Sequence, residues 1–219
     1  MNMQEMKSTV MEAGKETMQK VNHFAKLERF IAAVLTLTPL IFFIVDDSYT
    51  QGLRDSISNY VFMERSYWFG SLLTLAGALF IFNGAQHLGV QQFAQISKVE
   101  SRFGKGYNII FGLALFGVLF FDHENYTILH YVFAIIFFVG CALAMIVTRE
   151  TPLNTWGDVL GTLTLLSLGV HFLLEYVIWK NDNPFSLLWA EWVGLFLIAV
   201  YFIAESVHRD EREKKAGIH

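Results

Sequence analysis

Four ionisable residues lie inside long apolar segments, where a charged side chain is costly and therefore suggests a function. They are His130, His171, Glu175 and Glu191. His171 and Glu175 are four residues apart, so an α-helix places them on one face. Two imidazoles with carboxylates form a nitrogen and oxygen ligand set that suits zinc or another divalent metal. The residue types therefore indicate a metal site.

One chemistry for such a site is the hydrolysis of an ester or amide. His130 and His171 would be the metal ligands, and Glu175 or Glu191 would be the general base for a metal-bound water. The sequence contains no HExxH motif, the tight ligand pattern of many zinc hydrolases. The hydrolase hypothesis therefore depends on where the helices place these four side chains.

Two other interpretations use the same residues. His130 and His171 lie at comparable depth on different helices and could be the axial ligands of a b-type haem. Haem is the weaker cofactor prediction, because nothing else in the sequence marks a haem site. Alternatively, the polar side chains bond one another and only hold the helices together. The protein would then be a non-enzymatic membrane subunit or sensor.

The connection between the first two apolar segments adds polar groups that we expect to bind a ligand. They are Asp55, Ser56, Ser58 and Tyr60. Like the four buried ionisable residues, they fall in the outer third of the membrane or just above it. An outward-open pocket is the simplest arrangement that keeps such groups away from lipid. We expect it to bind a small polar molecule, a lipid headgroup or a metal.

The composition defines the elements that must position these groups. Of the 219 residues 54% are apolar and only 16% are charged, which is typical of a membrane protein. Several of the apolar segments are close to the about 20 residues that span hydrocarbon. The six segments are 29–45, 66–87, 106–121, 127–148, 156–179 and 186–206. The fold prediction is an all-α bundle of six transmembrane helices, and the net charge of −4 argues against a nucleic-acid partner.

Basic residues predict the orientation of the bundle. With both termini inside, only Arg54, Arg65 and Lys180 of the 16 Lys and Arg residues lie on the outer side. Cytoplasmic loops carry the excess of positive charge in membrane proteins. The prediction is therefore N-in and C-in, in a bacterial inner membrane.

The ends of the chain form two further predicted regions. In residues 1–28, apolar residues recur three or four apart between charged ones, which predicts an amphipathic cytoplasmic helix. This helix would lie on the inner membrane surface, or bind a cytoplasmic protein or a second copy of the chain through its methionines. The bundle would occupy residues 29–206, and residues 207–219 would form a charged cytoplasmic tail.

Small residues predict close contacts between helices. Gly70, Gly77 and Gly84 recur every seven residues in the second segment, and Gly157 and Gly161 form a pair in the fifth. Residues of this size let helix backbones approach closely.

Polar residues at the inner ends of the segments indicate no special role, because we expect them near the cytoplasmic headgroups. They are Asn83, Gln86, His87, Asp158 and Glu205. The middle of the segments holds only hydroxyl residues, such as Thr164 and Ser167, which can bond carbonyls of their own helix. A transport path across the midplane is therefore disfavoured.

Three short stretches resemble an uncharacterised family of bacterial six-helix membrane proteins with an SISxYY loop and an H-x-x-x-A-x-x-F-F helix. The matching residues are Ser56-Ile57-Ser58-Asn59-Tyr60, His130 with Ala134 and Phe137-Phe138, and Trp189-Ala190-Glu191. The likeness runs from about residue 29 to residue 206 and implies the fold and topology but no activity. The Arg-Asp pair of that family is replaced here by Arg65 and Ser66.

A looser similarity is to membrane hydrolases of the alkaline ceramidase and adiponectin-receptor type. Those enzymes hold zinc with Ser, Asp and His side chains from several helices, so the resemblance implies zinc-dependent hydrolysis. The His-x-x-x-His of their last helix is absent, and the run from His171 to Glu175 is only an analogue in another helix. The similarity concerns chemistry rather than kinship.

Overall fold

The computed structural model describes residues 26–46, 53–93, 105–148, 153–179 and 185–215, and these ranges contain helices and no strand. The helices are α1 (Lys26–Val45), α2 (Tyr67–Phe93), α3 (Asn108–Phe120), α4 (Thr127–Val147), α5 (Asn154–Leu173) and α6 (Leu187–Lys215). Shorter elements are two 3-10 helices, Ser58–Phe62 and Lys105–Tyr107, and a π-helical turn, Leu174–Ile178, that continues α5. The predicted all-α class is confirmed.

Length and composition identify the membrane-spanning helices. Among the described residues, five helices are long and apolar enough to cross a membrane: α1, α2, α4, α6, and α5 together with its π-helical turn. The sixth, α3, has 13 residues and is shorter than the about 20 that span hydrocarbon. The chain is therefore an all-α integral membrane protein with several spans. Helix length therefore does not confirm α3 as the predicted third span.

The observed helices α1, α2 and α6 extend beyond the predicted segments, and α2 continues to Phe93 rather than ending at residue 87. The first described residue, Lys26, is already helical, so Glu28 belongs to α1 rather than to a polar segment before it. At the other end, α6 continues to Lys215, and much of the predicted tail is helical. The rest of the predicted amphipathic helix, residues 1–25, lies outside the described residues.

Glycines mark the closest approaches between helices. A Cβ atom added at Gly84 would lie 2.7 Å from the backbone nitrogen of Ile109, so α2 and α3 touch there. A Cβ added at Gly161 would lie 2.6 Å from the carbonyl oxygen of Ala142, so α5 touches α4. These two predicted contacts are confirmed. At Gly70 an added Cβ would meet no atom within 4 Å.

We call the end of the bundle with the α1–α2, α3–α4 and α5–α6 connections the outer end, as the charge pattern predicts, and the opposite end the inner end. At the inner end, polar residues are buried inside the bundle. Asn83 and Glu205 are 0% and 1% exposed, and the Asn108 amide donates to Asn83 Oδ1 at 2.7 Å. Glu28 of α1 is fully buried, 3.8 Å from His87 Nε2. Asn83 and Glu205, for which no special role is predicted from the sequence, form a buried polar layer with Asn108 and Glu28.

At the outer end, the segment before α2 is fixed on the bundle. Arg54 forms two bonds with Asp46, and its Nε lies 2.6 Å from Asp46 Oδ2. The Tyr60 ring stacks on Phe42 with centroids 5.3 Å apart. The amide of Leu188, at the start of α6, donates to the carbonyl of Asp55 at 2.7 Å. We call residues 53–62 the outer segment, because it covers the outer ends of the helices.

Candidate functional site

A cavity of about 520 Å³ lies at the outer end between α4, α5, α6 and the outer segment. Binding pockets for small molecules usually have volumes of about 300–1,000 Å³. Its wall has a polar part, which includes Ser56, Ser58, His130 and Glu191. Its remaining wall is apolar. The cavity therefore has the two-part lining that an amphipathic molecule requires.

The splay of α4 and α5 forms the cavity. Gly161 packs closely on α4, whereas a Cβ added at Gly169, two turns further along α5, would meet no atom within 4 Å. The two helices therefore touch at Gly161, and nearer the outer end side chains of both helices line the cavity between them. Exposed side chains from both helices, Tyr131 of α4 and Phe172 of α5, line the cavity. The cavity therefore opens at the bundle surface between α4 and α5, where lipid surrounds the protein.

His130 has a defined orientation in the polar part. Its Nδ1 lies 2.7 Å from the carbonyl oxygen of Phe121, which directly follows α3. A carbonyl oxygen only accepts, so Nδ1 carries the hydrogen, and in the neutral ring Nε2 keeps its lone pair. Within the described ranges no hydrogen bond uses Nε2. His130 can therefore accept a hydrogen bond or a proton from a molecule in the cavity.

One carboxylate oxygen of Glu191 is also held by a hydrogen bond. It is 6% exposed, and its Oε2 accepts a hydrogen bond of 2.7 Å from the backbone N–H of Ile57. This bond joins α6 to the outer segment. Its other oxygen, Oε1, makes no hydrogen bond with any residue that the structure describes. Glu191 therefore has one carboxylate oxygen available to a molecule in the cavity.

The hydroxyl groups of the outer segment complete the polar part. Ser56 Oγ and Ser58 Oγ are 3.0 Å apart, and Ser56 Oγ accepts a 3.3 Å bond from the amide of Asn59. A smaller cavity of about 50 Å³ adjoins the large one. Ser58, His130 and Glu191 line both cavities, so they stand at the junction between them.

The two other predicted ligand-binding residues of the outer segment have different positions. Asp55 is exposed and lines the cavity. Tyr60 is 2% exposed and packs on Phe42, so the structure places it in the core rather than in the cavity wall. Burial raises the pKa of the Tyr60 hydroxyl above its ordinary value; the Asp46 carboxylate raises it further, and Arg54 opposes both. Tyr60 anchors the outer segment.

His171 and Glu175 do not line this cavity. His171 is 5% exposed, and its Nδ1 donates to the carbonyl oxygen of Phe185 at 2.8 Å, which ties α5 to the segment before α6. Glu175 lies in the π-helical turn, whose wider repeat departs from the α-helical geometry that the predicted shared face assumed. Of the four ionisable residues, His130 and Glu191 therefore line the cavity, whereas His171 and Glu175 do not.

The described residues include no group of three or more His, Cys, Asp or Glu side chains arranged to hold a metal ion. The metal and haem hypotheses both needed His130 and His171 together. Each ring bonds a different backbone carbonyl through Nδ1, that of Phe121 or that of Phe185, which is a bond that a ligating histidine also makes. Haem ligation by His130 and His171 therefore stays a prediction. Metal-assisted hydrolysis with Glu175 or Glu191 as base stays a prediction.

The apolar part of the wall was not recognised from the sequence. Leu165, Leu168 and Gly169 of α5 and Val139 of α4 line it. Their types are ordinary for a membrane helix, so no sequence signal separates them from lipid-facing residues. Tyr131, next to His130, also lines the cavity, as does His123 of the α3–α4 connection, a polar residue that the sequence places at the outer end.

Ser167 also departs from its prediction. Thr164 bonds the carbonyl of Leu160 in its own helix at 2.9 Å, as predicted for the hydroxyl residues in the middle of the segments. Ser167 instead donates to the carbonyl of Ala190 on α6 at 3.1 Å. This bond joins α5 and α6 beside the cavity.

Comparison with known proteins gives one family match. The family is described as a family of unknown function, DUF7103, and it matches residues 37–206. The match agrees with a resemblance to an uncharacterised family over residues 29–206. No curated protein and no solved structure matches the chain.

Proposed function

Because the chain belongs to the DUF7103 family of unknown function, we propose a function from its geometry: it binds a single-chain amphiphile from the surrounding bilayer. The polar group of this molecule occupies the junction of the two cavities, at Ser58, His130 and Glu191. Its chain lies along α5 against Leu165 and Leu168. The observation that carries the proposal is the cavity of about 520 Å³, polar at one end and apolar at the other.

The opening between α4 and α5 supports a ligand that comes from lipid. Tyr131 and Phe172 are 42% and 41% exposed and line the cavity, so the bilayer reaches its wall. Burial of an apolar chain between helices replaces lipid contacts by protein contacts, so packing and polar bonds must supply the selectivity. The polar part of the wall offers such bonds through hydroxyl, imidazole and carboxylate groups.

The test is photo-crosslinking with a 14-carbon alcohol that carries a diazirine near the middle of its chain. The protein is reconstituted in phosphatidylcholine nanodiscs, and labelled peptides are identified by mass spectrometry. We expect labelling of α4 and α5 at the apolar wall, near Val139 and Leu165. Gly169→Phe should remove this labelling, because its side chain enters space where no atom lies within 4 Å of the Cβ position.

Gly70→Phe is the matched control. Gly70 also has no atom within 4 Å of an added Cβ, but it does not line the cavity. This variant should leave the labelling of Val139 and Leu165 unchanged. Labelling spread evenly over the lipid-facing helices, and insensitive to Gly169→Phe, would overturn the proposed function.

A further inference from the structure

We propose that the polar end of the cavity binds a primary ammonium group, so that the ligand is a single-chain amine. This inference rests on the proposed function and adds the chemistry of the headgroup. It starts from Glu191, a carboxylate that is 6% exposed and accepts one hydrogen bond, from the amide of Ile57 at 2.7 Å. A carboxylate removed from water is strongly unfavourable unless a positive charge pairs with it or a proton neutralises it.

The described part of the cavity wall supplies no such charge, because no Lys or Arg lines it. Arg54, the basic residue of the outer segment, is bonded to Asp46 with an Nε–Oδ2 distance of 2.6 Å. Asp55 adds a second carboxyl group to the wall. The lining therefore carries acidic side chains and no permanent positive charge. An anionic headgroup would meet like charges there, whereas a cation would complete the pairing of Glu191.

The geometry of the junction fits three hydrogen-bond donors. An alkylammonium group has three N–H bonds and no acceptor. Glu191 Oε1, His130 Nε2 and Ser58 Oγ can each accept, and their residues line both cavities. Phe138 lines the same junction, where an aromatic face adds to the binding of a cation. An alcohol donates one hydrogen bond only, and a sulfate donates none, so both leave acceptors of the junction unpaired.

The experiment compares three probes with the same chain: tetradecylamine, tetradecanol and tetradecyl sulfate. Each is titrated at pH 7 onto the full-length protein in phosphatidylcholine nanodiscs, and displacement of the photo-crosslinkable alcohol is measured. We expect tetradecylamine to bind at least about tenfold more tightly than tetradecanol, the factor typical of a charge-assisted hydrogen bond. Tetradecyl sulfate should be the weakest competitor.

Glu191→Gln should remove the preference for the amine, while affinity for the alcohol changes little. The glutamine oxygen can still accept from Ile57, so the outer segment keeps its attachment. Glu175→Gln is the matched control, because it also neutralises a carboxylate at the outer end of the bundle but does not line the cavity. It should keep the preference. If Glu191→Gln does not fold, Ser58→Ala removes one acceptor of the junction and should lower amine affinity severalfold.

The outcomes separate this inference from the proposed function. Equal affinity for amine and alcohol, or an amine preference that survives Glu191→Gln and Ser58→Ala, overturns the ammonium inference alone, provided that Gly169→Phe weakens both probes. If Gly169→Phe changes the affinity of none of the three probes, the proposed function fails and the inference fails with it.

Discussion

The two ends of the bundle bury polar groups in different ways. At the inner end, Asn83 and Asn108 bond each other, and the cavity beside Asn108 has a volume of about 20 Å³. At the outer end, His130 and Glu191 each bond one backbone group and line a cavity of about 520 Å³. A polar group removed from water must be paired. One bond joins the two inner amides, and among the described residues Asn83 Nδ2 makes no hydrogen bond. The ends therefore differ in space: the inner end has almost none beside its polar groups, whereas the outer end has a cavity that a molecule can enter.

The spacing of the helices explains why the ends differ. Phe80 of α2 and Phe202 of α6 meet edge to face, with ring centroids 5.4 Å apart, one turn from Asn83 and Glu205. Together with the contact at Gly84, this closes the inner end. The outer end remains open because the cavity lies between the outer parts of α4 and α5. The comparison teaches that a polar residue in a membrane helix indicates a site only where helix packing also leaves space beside it.

The largest expected effect comes from adding a side chain to the closed region. Gly84→Leu should lower the free energy of unfolding by about 3 kcal/mol, because its Cβ would meet the backbone of Ile109 at 2.7 Å. Gly169→Leu should be tolerated, because its Cβ meets nothing within 4 Å. Denaturant unfolding in detergent micelles measures both. Equal destabilisation by Gly84→Leu and Gly169→Leu would contradict the conclusion that the two ends differ in packing.

A smaller effect should follow when one polar partner is removed from the closed region. Asn108→Ala leaves the buried Oδ1 of Asn83 without its 2.7 Å bond, which should cost about 1–2 kcal/mol of unfolding free energy. Ser58→Ala at the open end should cost less than about 0.5 kcal/mol, because a cavity adjoins it. The same unfolding assay compares them. A double variant with Asn83→Ala should cost less than the sum of the single variants.

Ser167 lies on α5 between the closed inner end and the open outer end of the bundle, where it bonds α6. Ser167→Ala removes its 3.1 Å bond to the carbonyl of Ala190 and should cost about 0.6 kcal/mol, the average for such bonds between membrane helices. Thr162→Ala, at an exposed position of the same helix, is the control and should change stability less. A Ser167→Ala variant as stable as the unmodified protein would show that this bond does not help to define the wall.

The smallest effect concerns the α3–α4 connection, which carries Phe121 and His123 beside the cavity. The Asn125 side chain and backbone amide donate to Asp122, and these bonds hold the pKa of its carboxyl below the ordinary value of 3.8. The folded pKa is lower than the unfolded one, so the carboxylate stabilises this turn above the unfolded value. That contribution is lost as pH falls through the folded pKa.

Asn125→Ala should therefore raise the pKa of Asp122 towards its ordinary value, as followed by NMR titration of the carboxyl carbon. Overall stability should hardly change, because Asp122 is exposed to solvent in this turn. An unchanged titration curve would show that Asn125 does not set this pKa, and the turn would then need another explanation.

The sequence predicted the helices well because apolar length is a direct physical requirement of the bilayer. It also selected His130 and Glu191, because ionisable groups are conspicuous in apolar segments, and the two serines, because they lie in the polar connection just outside them. It did not exclude His171, since its ring bonds the carbonyl of Phe185 in the connection after α5, and the path of that connection cannot be read from the sequence. The sequence likewise does not distinguish Tyr60 from a ligand-binding residue, because its core position depends on a contact with Phe42 of another element.

The features that the sequence could not predict depend on the relative positions of helices. Leu165 and Leu168 line the cavity because α4 and α5 diverge, and no residue type records that divergence. The sequence pattern predicts Glu28 in the polar segment before the membrane. Its burial depends on the neighbouring helices, so the pattern of its own segment could not predict it. Composition thus predicts which helices form, and only their packing decides whether a polar residue is paired or available.

The short α3 has a consequence for the membrane around the protein. Its 13 residues rise about 20 Å, whereas the hydrocarbon core of a typical bilayer is about 30 Å thick. Ile110, Leu113 and Phe120 are exposed on its surface, so acyl chains meet an apolar face that is too short for them. Lipid adapts to such a mismatch by local thinning. We expect a bilayer that α3 crosses to thin along this helix, and we expect the protein then to favour membranes with short or disordered acyl chains over thick, sterol-rich ones.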